Sequence, residues 1–286
     1  MKKFGIVGII GVGMIGGSIG MALRKRRLAD KVIGLGRNPV KLRRAKVLGA
    51  IEEGYTDFDK GLKNAGLVIV ATPVGLIPVM IKRAFPYLED GSIITDVGSV
   101  KCQLIRKIER FLPQRIHFVG AHPIAGLETF GVENAKPTLF QESNCVLTPT
   151  PSTDANALRV IGEMWKGIGA RVLLINPVQH DELLAFTSHL PHLIAVSLIE
   201  VLCNLNKKYK NTKEFIGGGF RDTTRIACGS PIMWRDICLA NKKEILNALR
   251  KFKSTTNQIE EIISNEKWDM LLRKLIRAKK ERDSLK

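Results

Sequence analysis

The feature that most constrains the fold of this chain is a glycine-rich segment between a predicted strand and a predicted helix. Three glycines follow the GxGxxG spacing, namely Gly11, Gly13 and Gly16. The apolar run 3–10 before them has the pattern of a strand buried on both faces, the run 14–27 has helical periodicity, and residues 31–35 are apolar again. Such a unit is typical of dinucleotide-binding sheets, and a purely structural glycine-rich turn is the alternative.

Each glycine has a distinct expected role in that unit. Gly11 permits a tight turn, Gly13 lets backbone N–H groups approach a pyrophosphate, and Gly16 lets the helix pack closely on the strand. The helix begins with Met14 and Ile15, which we include in the cofactor-binding segment. The sequence thus predicts a dinucleotide bound at the N-terminus of the first helix.

The residues after the second strand bear on which cofactor binds. An acidic residue about 20 positions past the glycines usually binds the ribose hydroxyls of NAD. This chain has Gly36 and Arg37 there, with Lys41, Arg43 and Arg44 close by. A carboxylate would repel a 2′-phosphate, whereas Arg37 can pair with one. The sequence therefore favours NADP, and NAD stays open because an arginine on a charged helix is common.

Strands and helices continue to alternate along the first half of the chain. Further strands are predicted at 67–71, 92–96 and 116–120, with helices at 75–87 and 101–111. This alternation is typical of a doubly wound sheet, in which ligands bind beyond the carboxyl ends of the strands. Three loops are expected to meet there: Thr72-Pro73, Asp96-Val97-Gly98-Ser99 and His122-Pro123. Thr72, Pro73 and Asp96 are accordingly predicted to contact the cofactor.

The pattern changes in the second half of the chain. A strand, a helix and a strand are predicted within 144–175, and then helical periodicity dominates at 179–205, 232–239, 242–263 and 266–280. We therefore expect an α/β Rossmann-type doubly wound domain at 1–176, followed by an all-α domain at 177–286. The apolar stripes of the helical half fit either a self-contained bundle or a dimer interface.

Two groups of histidines are candidates for chemistry. His122 follows a strand on the cofactor side of the sheet, where an imidazole with an ordinary pKa near 6.5 can accept a hydroxyl proton as hydride leaves the adjacent carbon. His189 and His192 lie on one helix face if Pro191 allows a helix. They could line a substrate cleft or serve packing. No third ligand has a recognisable spacing, so no metal is predicted.

A second cluster lies in the segment 217–225. Three glycines there precede Arg221, Asp222 and Arg225. An arginine can grip a carboxylate with two hydrogen bonds, and an aspartate can hold that arginine in place. The alternative is a helix start with solvated charges.

The net charge of +18 is concentrated in two segments. Residues 24–46 hold ten basic residues and one acidic residue, and residues 267–286 hold eight and three. The first cluster flanks the predicted adenosine-phosphate site. No helix-turn-helix, RNA-binding or zinc-finger signature accompanies the charge, so a nucleic-acid partner is not expected.

The cysteines and the N-terminus bear on location. The five cysteines are widely spaced and contain no CxxC pair, which is typical of a reduced cytoplasmic protein. The segment 4–23 is uncharged and follows Lys2 and Lys3, as in a signal peptide or membrane anchor. It holds seven glycines and no cleavage site follows it, so neither export nor membrane insertion is expected.

Taken together, these segments resemble the prephenate and arogenate dehydrogenases of tyrosine biosynthesis. The matching strings, in family order, are GVGMIGGS (11–18), ATPV (71–74), TDVGSVK (95–101), GAHPIAG (120–126), SHLPH (188–192), GFRDTTR (219–225) and MWRD (233–236). The first two occur in many nucleotide-binding enzymes, whereas HPIAG, SHLPH and FRDTTR in combination are specific. The departure is Gly36-Arg37, which replaces the acidic residue of the NAD-using members.

The resemblance implies an oxidative decarboxylation of a cyclohexadienol to an aromatic product, catalysed by a homodimer. By resemblance, His122 takes the hydroxyl proton and Ser99 helps to position that hydroxyl. Arg225 binds a substrate carboxylate with support from Asp222. The resemblance also implies that His189, His192 and Trp234 orient the substrate and that Glu128 lies at the pocket entrance.

The substrate is expected to be prephenate or arogenate, which differ in carrying a keto acid or an amino acid. Gln141 and Asn144 offer no anion for an amino group, which favours prephenate, while Glu142 leaves arogenate open. Another Rossmann-plus-helical dehydrogenase, of the β-hydroxyacid type, is the alternative enzyme. Such an enzyme would be expected to use a lysine from the helical half.

Overall fold

In the computed structural model, which describes residues 3–125 and 129–285, the chain folds into two compact units that divide between Lys242 and Lys243. The first six strands of the first unit are β1 (Phe4–Ile10), β2 (Ala29–Leu35), β3 (Glu53–Tyr55), β4 (Ala65–Val70), β5 (Ile93–Asp96) and β6 (His117–Val119). They form one parallel sheet in the order β3-β2-β1-β4-β5-β6. The strand order reverses beside β1, which is the switch point where such sheets bind ligands. The predicted Rossmann-type sheet is confirmed.

Helices connect these parallel strands. They are α1 (Met14–Lys25), α2 (Pro39–Val47), α3 (Phe58–Leu62), α4 (Ile77–Ala84) and α5 (Cys102–Glu109). The core beneath α1 is formed by aliphatic side chains such as Ile9, Ile19 and Leu23, none of which is exposed. The helix predicted at 75–87 is shorter, because tight 3₁₀ turns replace its two ends.

A second, three-stranded sheet follows. Its last two strands and the helix between them agree with the strand, helix and strand predicted within 144–175, whereas its first strand and its separation from the parallel sheet were not predicted. The sheet consists of β7 (Ala121–Pro123), β8 (Asn144–Leu147) and β9 (Arg171–Leu174), with α6 (Ala155–Gly167) between β8 and β9. The pair β7–β8 is antiparallel and the pair β8–β9 is parallel. The prediction that His122 lies in a loop is therefore wrong. His122 is the middle residue of β7, opposite Val146, and this pairing fixes its backbone.

From Pro177 to Leu285 the described chain consists of helices and turns. In the first unit these are α7 (Pro177–Leu184), a π-helical turn (Ala185–His189), α8 (Leu190–Lys208), α9 (Gly218–Thr224) and α10 (Pro231–Ala240). The single helix predicted at 179–205 is thus interrupted by the π turn. Pro191 has no N–H for the carbonyl of Thr187, so regular α-helical bonding fails at this point. The expected domain division between residues 176 and 177 stays a prediction.

The second compact unit is a pair of helices. It comprises nearly all of α11 (Lys242–Ser264) together with α12 (Trp268–Ser284), joined by a turn in which Glu266 has a φ of 51°. Several large apolar side chains of α12 are exposed, among them Leu272, Leu275 and Ile276. In the first unit, the run Pro177–Lys208 is long and apolar enough to cross a membrane by length and composition, a test that core helices of soluble proteins also pass.

Candidate active site

The glycine turn after β1 has the shape of a pyrophosphate cradle. Gly11 has a φ of +96°, and a β-carbon there would lie 2.8 Å from the carbonyl oxygen of Ala71. A β-carbon on Gly16 would lie 2.3 Å from the Gly11 carbonyl oxygen, whereas one on Gly13 would meet nothing within 4 Å. The turn is therefore tightly packed on one side and open on the other, where Gly13, Met14 and Ile15 begin α1. The residues present fit a dinucleotide, as the sequence predicts.

The open side of this turn borders a cleft of about 560 Å³. Thr72 and Pro73 line it, as do Gly36, Arg37 and Lys41. Arg43 is not among its lining residues, and Arg44 lies 4.0 Å from Glu133. The Oγ1 atom of Thr72 is buried without a hydrogen-bond partner among the described residues. Of the basic residues predicted for a 2′-phosphate, the structure places Arg37 and Lys41 at the cleft.

Asp96 lies beneath the site, not in the cleft. Its side chain is fully buried, and Lys101 Nζ donates to Oδ2 at 2.6 Å. The Gly98 N–H donates to the same oxygen at 2.8 Å, and the Ala121 N–H donates to Oδ1 at 3.1 Å. Protein donors thus contact both oxygens of the carboxylate, and the predicted contact of Asp96 with the cofactor stays a prediction. The carboxylate ties β7 to the loop that carries Ser99, which is half-buried.

His122 is the first member of a hydrogen-bonded chain. Its Nδ1 lies 2.9 Å from Nε2 of His180, and Nδ1 of His180 lies 2.8 Å from Oδ1 of Asp181. Asp181 in turn accepts the Lys101 N–H on Oδ1 and the Cys102 N–H on Oδ2, each at 2.8 Å. These two N–H groups lie at the N-terminus of α5, and Asp181 lies on α7. The contact between α5 and α7 therefore fixes the position of the hydrogen-bonded chain.

The environment of these histidines favours their neutral forms. Burial lowers the pKa of His122 well below its ordinary value, and His180, Lys101 and His189 lower it further. Burial also lowers the pKa of His180, against the opposing effect of its hydrogen bond to Asp181. A neutral His122 can accept a proton at ordinary pH, which is what its predicted role requires.

Three aromatic side chains, His189, His192 and Trp234, form an aromatic group on the helical side of the site. The ring of His192 stacks on Trp234 with centroids 3.5 Å apart and an interplanar angle of 8°, and His189 contacts Trp234 edge-on at 6.1 Å. His189 Nε2 and His192 Nδ1 are buried without hydrogen-bond partners among the described residues. Burial lowers the pKa of His189 to about 4. Two neutral imidazoles with unused nitrogens can therefore bind polar groups of a ligand.

The remaining predicted residues lie on nearby turns. Arg225 begins a 3₁₀ turn after α9, and Asp222 is exposed in the last turn of α9. His192 forms a hydrogen bond with the backbone of Ile226, which connects this turn to the aromatic group. Glu128 lies outside the described residues. The roles of Arg225, Asp222 and Ser99 stay predictions.

Three residues near the base were missed by the sequence analysis. Lys101 is the last residue of the string TDVGSVK and has no predicted role, and His180 and Asp181 lie in the predicted helix 179–205, also without one. No spacing signal could have found them, because His180 lies 58 residues from His122 in the chain. Among residues 3–125 and 129–285, no group of three or more His, Cys, Asp or Glu side chains could hold a metal ion.

Comparison with known proteins agrees with this geometry over nearly the whole chain. Residues 19–174 match the family profile described as "Prephenate dehydrogenase, nucleotide-binding domain", and residues 176–277 match "Prephenate dehydrogenase, dimerization domain". Prephenate dehydrogenase of Bacillus subtilis (strain 168) is 37% identical over 278 residues, which cover 97% of this chain and 75% of that protein. Cyclohexadienyl dehydrogenase of Zymomonas mobilis is 34% identical over 288 residues, covering 100% of this chain and 98% of that one.

The fold agrees equally well with a solved structure. The crystal structure of prephenate dehydrogenase from A. aeolicus, in complex with hydroxyphenyl propionate and NAD⁺, matches with a TM-score of 0.91 and 34% sequence identity. The match covers 100% of this chain and 99% of that chain. The helical half is therefore part of the shared fold.

Proposed function

Because this chain belongs to the prephenate dehydrogenase family and is a nicotinamide-dependent oxidoreductase, we propose that it converts prephenate to 4-hydroxyphenylpyruvate and carbon dioxide. The bound nicotinamide would supply the hydride acceptor. The observation that carries the proposal is His122, a neutral imidazole held by His180 on the carboxyl side of a dinucleotide-binding sheet.

In the proposed reaction the protein accepts and returns one proton and binds a carboxylate of the substrate. Nε2 of His122 accepts the hydroxyl proton while the C–H bond at the same carbon gives up its hydride. The ring carboxylate then leaves as carbon dioxide, its bonding electrons enter the ring, and His122 returns the proton to the ring oxygen. His122 therefore takes up no net proton over the reaction. Formation of the aromatic ring makes the second step, the loss of carbon dioxide, favourable.

The substrate is held from the helical side. Arg225 pairs with a substrate carboxylate and is supported by Asp222, since a guanidinium fork matches a carboxylate. The unpartnered nitrogens of His189 and His192, backed by Trp234, accept or donate hydrogen bonds to the substrate. Ser99 positions the hydroxyl from the loop after β5. Glu128 is assigned to the entrance by resemblance alone.

NADP is the proposed preferred cofactor. Arg37 and Lys41 line the cleft at the end of β2, and Asn38 caps the N-terminus of α2 beside them. This end of the cleft therefore presents two cations and a helix N-terminus, which suit a 2′-phosphate. NAD is the alternative, and the A. aeolicus relative was solved with NAD⁺.

The enzyme is proposed to be a cytoplasmic homodimer without a nucleic-acid or membrane partner. Its match to a dimerization domain and the exposed apolar side chains of α8, such as Val201 and Leu205, support self-association. No disulfide joins any two of the five cysteines in the described parts of the chain, in keeping with a reducing compartment.

Arogenate is the second candidate substrate, because the Zymomonas relative is a cyclohexadienyl dehydrogenase. Against it, Glu142, the acid that left arogenate open, forms an ion pair with Arg171. The test is absorbance at 340 nm with prephenate or arogenate against NAD or NADP. We expect the highest kcat/KM with prephenate and NADP. A reaction with arogenate alone would overturn the substrate assignment, and no reduction in any combination would overturn the function.

A further inference from the structure

We propose that His180 and Asp181 are positioning residues that fix the tautomer of His122, so that its Nε2 atom is the proton acceptor. The inference deepens the proposed function, on which it rests for what His122 does with the proton. The tautomer itself is a property of the protein alone and can be measured without substrate.

The argument begins at the carboxylate of Asp181. Its two oxygens accept backbone N–H groups from Lys101 and Cys102, so both are acceptors. An acceptor on Oδ1 requires the facing Nδ1 of His180 to carry a hydrogen, at a separation of 2.8 Å. The tautomer of His180 is thereby set by its neighbour.

The tautomer of His180 in turn determines the tautomer of His122. A neutral His180 with its hydrogen on Nδ1 has a bare Nε2, which must accept from Nδ1 of His122 at 2.9 Å. A neutral His122 with its hydrogen on Nδ1 then has a lone pair on Nε2. That nitrogen makes no hydrogen bond within the described parts of the chain, so it is available to a substrate hydroxyl.

The positive charge that His122 gains when it takes up a proton has an anion at the far end of the hydrogen-bonded chain. Lys101 and Asp96 form a buried pair of opposite charge, whereas the Asp181 carboxylate, among the described residues, contacts two backbone N–H groups and the His180 ring. When Nε2 of His122 takes the hydroxyl proton, the resulting imidazolium donates through His180 toward that anion. The arrangement stabilises the transient charge without moving any heavy atom.

A purely structural role is the competing explanation, because Asp181 also caps the N-terminus of α5. Variants of Asp181 would confound the two roles, whereas variants of His180 leave both cap bonds in place. His180→Leu removes the acceptor for His122. His180→Gln keeps it, because an amide oxygen can accept from His122 while the amide nitrogen donates to Asp181.

The experiment compares these two variants with the full-length wild type and with the control His117→Leu, at the first position of β6. Long-range ¹⁵N–¹H spectra of histidine-labelled protein assign the tautomer, which is practical because the chain has only five histidines. We expect a hydrogen on Nδ1 of His122 in the wild type and in His180→Gln, and a shift to Nε2 in His180→Leu. We expect His180→Leu to lower kcat about 10- to 1,000-fold with little change in KM, and His180→Gln to recover most of it.

Two results would overturn the inference. One is a wild-type His122 that carries its hydrogen on Nε2. The other is an equal loss of kcat in His180→Leu and His180→Gln, together with an equal fall in Tm, which would assign His180 to folding alone. Failure of the proposed function is distinct, since it would abolish turnover in the wild type and leave the spectra as described.

Discussion

Lys101 Nζ lies 2.6 Å from Asp96 Oδ2, and neither side chain is exposed to solvent. Breaking a buried ion pair leaves an uncompensated charge, which costs about 3–5 kcal/mol. We expect Lys101→Met to lower the free energy of unfolding by that amount in urea titrations. The double variant with Asp96→Asn should lose less than the sum of the single losses. Additive losses would contradict a direct coupling, and Lys31→Met, which breaks the exposed pair with Glu53, is the control with a much smaller effect.

Removing the proposed base should affect turnover and not cofactor binding. We expect His122→Asn to lower kcat by at least ~10²-fold, the usual contribution of a general base. The Kd for the cofactor, measured by fluorescence titration, should change little because the glycine turn and the cleft residues are untouched. A loss in Kd as large as that in kcat would place His122 in the cofactor site instead.

The pH dependence of turnover follows from the lowered pKa of His122. A base is active when unprotonated, so a lower pKa in the free enzyme moves the acid limb of the kcat/KM profile to lower pH. The limb should therefore lie well below pH 6.5, and kcat/KM should be flat from there through neutrality. Burial of His122 has the largest effect on this position, and the nearby His180, Lys101 and His189 lower the pKa further. An acid limb at or above pH 6.5 would contradict the burial effect.

Cofactor preference should depend on Arg37. We expect Arg37→Ala to raise KM for NADP about tenfold while leaving KM for NAD nearly unchanged, since one charge-assisted contact to the 2′-phosphate is lost. Arg43→Ala is the matched control, because this arginine is on α2, which begins two residues after Arg37, and does not line the cleft. If the ratio of the two KM values is unchanged in Arg37→Ala, Arg37 does not bind the 2′-phosphate and is a solvated surface charge.

Substrate affinity should depend on Arg225. Arg225→Ala is expected to raise KM for prephenate at least about tenfold, with a smaller change in kcat. Arg225→Lys keeps the charge and loses the planar fork, so its KM should be intermediate. Steady-state kinetics at saturating cofactor measure both. A wild-type KM in Arg225→Ala would show that Arg225 does not bind the substrate carboxylate.

The sheet and the cofactor turn were predictable because their signals are local. The spacing of Gly11, Gly13 and Gly16 predicts a tight turn that needs glycine. The structure has this turn, and Gly11 adopts a φ of +96° in it. Strand β3 was missed, because three residues on the edge of a sheet are too few for a hydrophobic period. Strand β7 was missed for the same reason, and with it the backbone setting of His122.

The support beneath His122 was not predictable, because it depends on pairing between distant segments. Asp181 and His180 come from a stretch whose pattern indicates only a helix, and Lys101 begins another stretch, 101–111, whose pattern also indicates only a helix. The fold converts these residues into a buried network by placing α7 against the start of α5. Such contacts leave no period in a single sequence.

The π turn at Ala185–His189 sets the phase of the long helical run. In an unbroken α-helix, two residues nine positions apart, such as His180 and His189, are about two and a half turns apart and face opposite sides. The turn holds one extra residue, so the interval rotates about as far as eight residues do. Asn241 Nδ2 accordingly reaches both the Asp181 carbonyl at 2.8 Å and His189 Nδ1 at 3.3 Å. One helical run thereby carries both the support of the base and the histidines of the aromatic group, and the same residues wound as a regular α-helix would turn one group of histidines about 100° away from the other.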